Sequence, residues 1–105
     1  MTKIVTFFEL NQDVIVEAEA AKLDDYAKWL NDHKDTKIIV TGYADVQTGN
    51  KVINKDLSQR RANKVKNYLV SKGVAADRIS VDFKGDTEQP FAQNDLNRCV
   101  ISLFK

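Results

Sequence analysis

"KIIVTGYADVQTGNKVINKDLSQRRANKVKNYLVSKG", residues 37–73, decides the architecture of this 105-residue chain. It opens on a β-branched run closed by a turn, "KIIVTGY", which reads as a strand. "ADVQTGNKVIN" follows, rich in Gly, Asn, Asp and Thr, and reads as a loop. From Asp56 to Lys72 the periodicity changes to that of a helix, about 100° per residue, with Leu57, Ala62, Val65, Tyr68 and Leu69 on one apolar arc. Gly73 fits a C-terminal stop, and Lys66 and Lys72 stand near the negative end of the helix dipole.

Outward from this unit, "KIVTFFEL" (3–10) is β-branched and aromatic, "RISVDFK" (78–84) puts Ile79, Val81 and Phe83 on one side, and "RCVISLF" (98–104) does so with Cys99, Ile101 and Leu103. Within residues 17–33, Leu23, Tyr26, Ala27 and Leu30 follow the i, i+3, i+4, i+7 rule of a second helix. "GDTEQPFAQNDLN" (85–97) is a further polar loop, which Pro90 keeps from extending the preceding strand. The order is βαβαββ. Helices alternating with strands imply crossover connections, and the expectation is an α/β (α+β) two-layer sandwich: a mixed sheet of about four strands with helices on one face. Residues 1–105 read as a single domain with enough hydrophobic residues, 43%, for one core.

Sixteen Lys and Arg against fifteen Asp and Glu give a net charge of +1, so no broad field marks a nucleic-acid binder. One cysteine excludes an internal disulfide, and no Cys/His cluster exists for a structural zinc, so neither metal nor cofactor is expected. Cys99 reads as a small buried hydrophobe. "MTKIVTFFEL" is neither a signal peptide nor a membrane span. His33 lacks a Cys or Ser partner, so a nucleophilic triad is unsupported and no enzyme is expected. Tyr26 and Trp29 lie near the apolar stripe of the first helix and read as core or edge packing.

Arg61 does not fit the pattern. It lies inside the apolar arc, about 40° round from Leu57, whereas Arg60, Asn63 and Lys64 point away. A helix beginning at Asp56 would place it in the first turn. Desolvating a cation unpaired costs several kcal/mol, so an anion is required. The nearest in topology is Asp45, at the C-terminal end of the second strand, where open α/β sheets tend to bind ligands. Two readings stand. Asp45 and Arg61 form a structural salt bridge, or they are held apart and receive a ligand carrying both charges, such as a free amino-acid head group.

The residues Gly42, Tyr43, Ala44 and Asp45, followed by Asn54, Leu57, Ser58, Arg61 and Ala62, resemble the central signature of the OmpA-like C-terminal domain, G-[HFY]-[TA]-D and then N-x-x-L-S-x-x-R-A. "FELNQDVI" is similar to the family's first-strand segment, with Asn11 at its polar position. "KGDTEQP" resembles its G-E-x-x-P loop with Asp86 for Glu, and "NRCVISL" its N-R-R-V strand with Cys99 for the second Arg. The Asp45–Asn54 segment is about one residue longer than is commonest in the family.

The resemblance implies non-covalent binding of peptidoglycan through diaminopimelate in its stem peptide. Asp45 would take the ammonium and Arg61 the carboxylate, while Asn11, Thr48, Asn54 and Leu57 shape the site. It further implies a domain excised from a longer envelope protein, sitting in the periplasm of a Gram-negative bacterium and tethered to the outer membrane. Membrane contact would come only through the missing parts. The alternatives are a protein-protein adaptor in which Asp45–Arg61 is a strut, and an RNA-binding α/β sandwich, which the near-neutral charge disfavours.

Overall fold

The structure is a computed structural model and describes residues 2–105. β1 (Lys3–Phe7), α1 (Glu17–Asp32), β2 (Ile38–Gly42), α2 (Lys51–Ser71), β3 (Ile79–Phe83) and β4 (Cys99–Phe104) follow in chain order. Short 3-10 turns at Ala76–Arg78 and Asn94–Asn97 precede β3 and β4. The strands form one mixed sheet in the order β1-β4-β2-β3. β2 and β3 are parallel, as a strand-helix-strand crossover requires, whereas β4 runs antiparallel to both β1 and β2.

Register explains which side of the sheet is dry. Ile38 lies between Ile79 and Phe104, and Val40 between Val81 and Ser102, with Ile4 beyond Ser102. This side forms one core with Leu23, Tyr26, Ala27 and Leu30 of α1 and Ala62, Val65 and Leu69 of α2. Cys99, Ile101 and Leu103 project from the other side. Cys99 is buried as expected, its thiol pKa pushed up to about 12 by desolvation. Trp29 packs at the margin of the core, with exposed His33 stacked on it at 3.8 Å. Polarity intrudes on the sheet and α1: Thr6 Oγ1, Tyr26 OH and Ser102 Oγ are buried without a hydrogen-bond partner among the described residues.

α2 begins five residues earlier than the apolar periodicity predicts. Asn50 is the N-cap, its side chain accepting from the Ile53 N–H at 2.9 Å, and the helix runs unbroken for 21 residues. Arg61 is therefore midway along α2, roughly 15 Å from its start. It is thus not in the first turn, as a start at Asp56 would have it, and the positive potential of the helix N-terminus, which fades within that turn, does not reach it.

α2 lies flush on the end of β2. A Cβ on Gly42 would stand 1.9 Å from the Ser58 carbonyl oxygen and 3.2 Å from the Ala62 Cβ, so only glycine permits this approach. The contact fixes the height of α2, and with it Arg61, over the strand end that leads to Asp45.

Candidate functional site

Beyond Gly42 the chain is held between two neighbours. The Tyr43 N–H donates to the Cys99 carbonyl and the Ala44 N–H to the Gly85 carbonyl, both at 2.8 Å, which delivers Asp45 to the end of the sheet. Asp45 is only 2% exposed. Thr48 Oγ1 lies 2.8 Å from both carboxylate oxygens, Asn94 Nδ2 donates to Oδ1 at 3.1 Å, and Arg98 Nε donates to Oδ2 at 2.9 Å. Burial pushes this carboxyl's pKa up, but the hydrogen bonds from Arg98, Thr48 and Asn94, with the charge of Arg98, bring it below the usual carboxylate range. Asp45 is an anion at neutral pH.

Arg61 is 1% exposed, and it is the largest of the fully buried side chains. Nε donates to the Gln12 carbonyl at 2.8 Å, one terminal nitrogen to the Tyr43 carbonyl at 3.0 Å, and the other to the Glu9 carbonyl at 3.1 Å. The Phe8 ring lies 5.4 Å away. Desolvation lowers its pKa to about 10, partly opposed by the nearby charge of Asp45, so it stays protonated at neutral pH. Among the described residues it makes no ion pair. Of the two readings the sequence left open, the direct Asp45–Arg61 salt bridge is not formed among the described residues, and the carboxylate is paired with Arg98 instead.

The other expected site residues fall in different places. Thr48 touches Asp45 directly. Asn54, buried, donates through Nδ2 to the Thr48 carbonyl at 2.8 Å, to Asp86 Oδ2 at 2.9 Å and to the Asp45 carbonyl at 3.3 Å, tying the Asp45–Asn50 loop to α2. Asp86 is braced in turn by Lys51 Nζ at 2.6 Å. Leu57 is buried one turn before Arg61. Asn11 touches neither charge. Its φ of 57° instead lets the Glu9–Gln12 turn close, the conformation asparagine tolerates best after glycine, and that turn supplies two of the carbonyls on Arg61.

The sequence reading missed two residues in the shell of Asp45. Asn94 and Arg98 come from the 85–98 loop, which Asn97 folds back by exchanging hydrogen bonds with the Phe91 N–H (2.8 Å) and carbonyl (2.9 Å). The prior signals were Arg98 as the one cation in "NDLNRCVISL" and its place in the stretch that resembles the family's N-R-R-V strand. A concavity of 310 Å³ opens beside Lys55, Phe83 and Lys84, and another of 570 Å³ beside Asn31, Lys34 and Arg78. Neither is lined by Asp45 or Arg61. Among the described residues no His/Cys/Asp/Glu group could hold a metal ion, and no helix is long and apolar enough to cross a membrane.

Outer membrane protein 40 of Porphyromonas gingivalis is 39% identical over 100 residues, which cover 92% of this chain and 25% of that protein. The peptidoglycan-associated lipoprotein of Mesorhizobium japonicum is 37% identical over 93 residues, covering 89% of this chain and 54% of that one. The chain thus spans about a quarter to a half of these relatives. In three dimensions, the peptidoglycan-associated lipoprotein of Burkholderia pseudomallei superposes with a TM-score of 0.90 at 21% identity, over 96% of this chain and 89% of that one. The OmpA family profile matches residues 7–98, from the end of β1 to the arginine on Asp45, and the chain belongs to the OmpA family.

Proposed function

We propose that this chain is a non-enzymatic peptidoglycan-binding domain that grips the free amino-acid end of diaminopimelate in the stem peptide, anchoring an outer membrane to the cell wall. The observation that carries the reading is Arg61: a buried, protonated guanidinium with no counter-ion among the described residues, near a buried carboxylate that is not its partner. Such an arrangement is expensive for a strut and suited to a receptor. Three of the five guanidinium N–H groups are spent on carbonyls, leaving two for a ligand carboxylate. Asp45 receives the ammonium. Thr48 and Asn54 hold its loop, the Asn11 turn orients Arg61, and Leu57 forms the apolar floor.

Family membership supports the same partner, since one relative is named a peptidoglycan-associated lipoprotein. The relatives' names also favour a periplasmic site, with the tether in parts of the full-length protein outside this chain. Each charge-assisted contact contributes about 1.5–3 kcal/mol, so one stem peptide binds modestly and firm attachment comes from many copies on the polymer. An adaptor reading draws on exposed Val46, Val52 and Ile53 near the Asp45 loop, an apolar surface of the kind proteins bind.

Sedimentation with purified sacculi separates the two. Asp45→Ala and Arg61→Ala, each checked for fold by circular dichroism, should abolish pelleting. Pelleting at the level of the unaltered protein by a folded variant would remove the receptor.

A further inference from the structure

We infer that in the free protein Arg98 occupies the place that a ligand ammonium takes on Asp45, so that binding exchanges one cation for another, with Asn94 supplying the second acceptor. This rests on the receptor reading of Asp45 and Arg61 given above.

Three groups hold the Asp45 carboxylate, and only one of them is charged. Thr48 belongs to the same loop as Asp45, and Asn94 is a neutral amide. Arg98 reaches in from the surface, its side chain 20% exposed. The Nε contact with Asp45 is its one side-chain hydrogen bond among the described residues. Other arginines are fixed differently: Arg61 and Arg78 each donate to three backbone carbonyls. Arg98 is thus a cation on a flexible stem held by a single contact, and its terminal nitrogens are free to return to water.

A ligand ammonium cannot simply be added beside it. Two cations on one buried carboxylate would repel at a few ångströms in a medium that screens poorly. Exchange avoids this penalty, because the charge on Asp45 is balanced before and after.

The second observation is an acceptor with nothing to accept. Asn94 Oδ1 is buried and has no donor among the described residues, while Nδ2 of the same amide donates to Asp45. Turning the amide over would set its oxygen against the carboxylate, so the orientation is dictated by charge. A buried unsatisfied carbonyl is costly, and an ammonium has three N–H groups to share between Asp45 and Asn94. The ligand class follows: a primary ammonium, uncapped. An acylated amine carries one N–H and no charge, and cannot displace Arg98.

The test is calorimetric titration with free meso-diaminopimelate of the unaltered protein, Arg98→Gln, Arg98→Lys and Asn94→Leu, each confirmed folded by circular dichroism. Removing the resident cation should tighten binding about fivefold, the scale of a partly exposed ion pair. Arg98→Lys keeps a competitor and should bind as the unaltered protein does. Asn94→Leu should weaken binding, and diaminopimelate acetylated on both amines should not bind at all. A folded Arg98→Gln protein that binds no tighter than the unaltered one overturns the exchange and leaves the receptor standing. Absence of binding in the unaltered protein and in every variant removes the receptor, and the exchange with it.

Discussion

Gly42→Ala tests the contact that holds the two halves of the site in register. The glycine is not required for its backbone, since Gly49, Gly73 and Gly85 carry the positive φ angles and Gly42 does not. On conformational entropy alone, alanine would therefore stabilise the fold by about 0.4–1 kcal/mol. Packing reverses the sign. The new methyl would stand 1.9 Å from the Ser58 carbonyl oxygen and 2.8 Å from its carbon, and the obstacle is helix backbone that cannot rotate aside. To restore an ordinary contact α2 must lift by roughly 1.5 Å, loosening Ala62, Val65 and Leu69 against the sheet. Overpacking of this kind costs about 1–3 kcal/mol, and a backbone obstacle puts Gly42→Ala at the upper end. Urea denaturation should show a lower midpoint with an unchanged slope, and the melting temperature should fall on the order of 10 °C or more. The shift also raises Arg61 away from the Tyr43 carbonyl, so sacculus pelleting should weaken in the variant that remains folded. Stability equal to or above that of the unaltered protein would refute the claim that α2 rests on this glycine.

Two further substitutions read pH dependence. Tyr26→Phe removes a buried hydroxyl without a partner and should raise stability by roughly 1 kcal/mol at neutral pH. Native Tyr26 resists ionising until about pH 12, against 10.0 for the exposed phenol, so the folded state holds more protons in that window and stability falls as pH rises through it. In the phenylalanine variant this part of the alkaline loss should vanish from denaturation curves, and an unchanged alkaline limb would mean the phenol is not desolvated. Asp45 has the opposite sign. Its folded pKa is depressed, so its contribution is full above the unfolded value of 3.8 and is lost as pH falls through the folded one. Asp45→Asn, which removes the anion that Arg98, Thr48 and Asn94 hold, should lower stability at neutral pH by about 1–2 kcal/mol and flatten the acid limb, as read by urea midpoints between pH 2 and 7. Parallel acid limbs in the two proteins would place the pH dependence elsewhere.

Chain order and sheet composition were legible because β-branched runs and a 3.6-residue period carry their own physical signature, and the burial of Arg61 followed from its place on the α2 arc. The start of α2 was hidden. Asn50 caps a first turn whose apolar residues, Val52 and Ile53, are exposed, so the periodic stripe begins only at Leu57. The partner of Asp45 was hidden for another reason. Arg98 lies 53 residues away, and no local pattern reports which of several cations a folded loop will bring home. Asp45 and Arg61 could be chosen by residue type and topology, but whether they would meet depended on that loop and on three backbone carbonyls that carry no side-chain signal.

The position of β4 sets the timetable of assembly. It is last in sequence yet interior in the sheet, with β1 hydrogen-bonded to it alone and β2 against its opposite edge. A chain emerging amino end first, from a ribosome or a translocation channel, can close the β2-α2-β3 crossover early. Lys3 must wait a hundred residues for Leu103. Until then β1 has no strand partner, the 85–98 loop has no anchor, and Asp45 has no arginine. Completion of the proposed site is thus coupled to the arrival of Arg98 and β4, and a variant lacking residues 98–104 should leave β1 unpaired and Asp45 without its arginine.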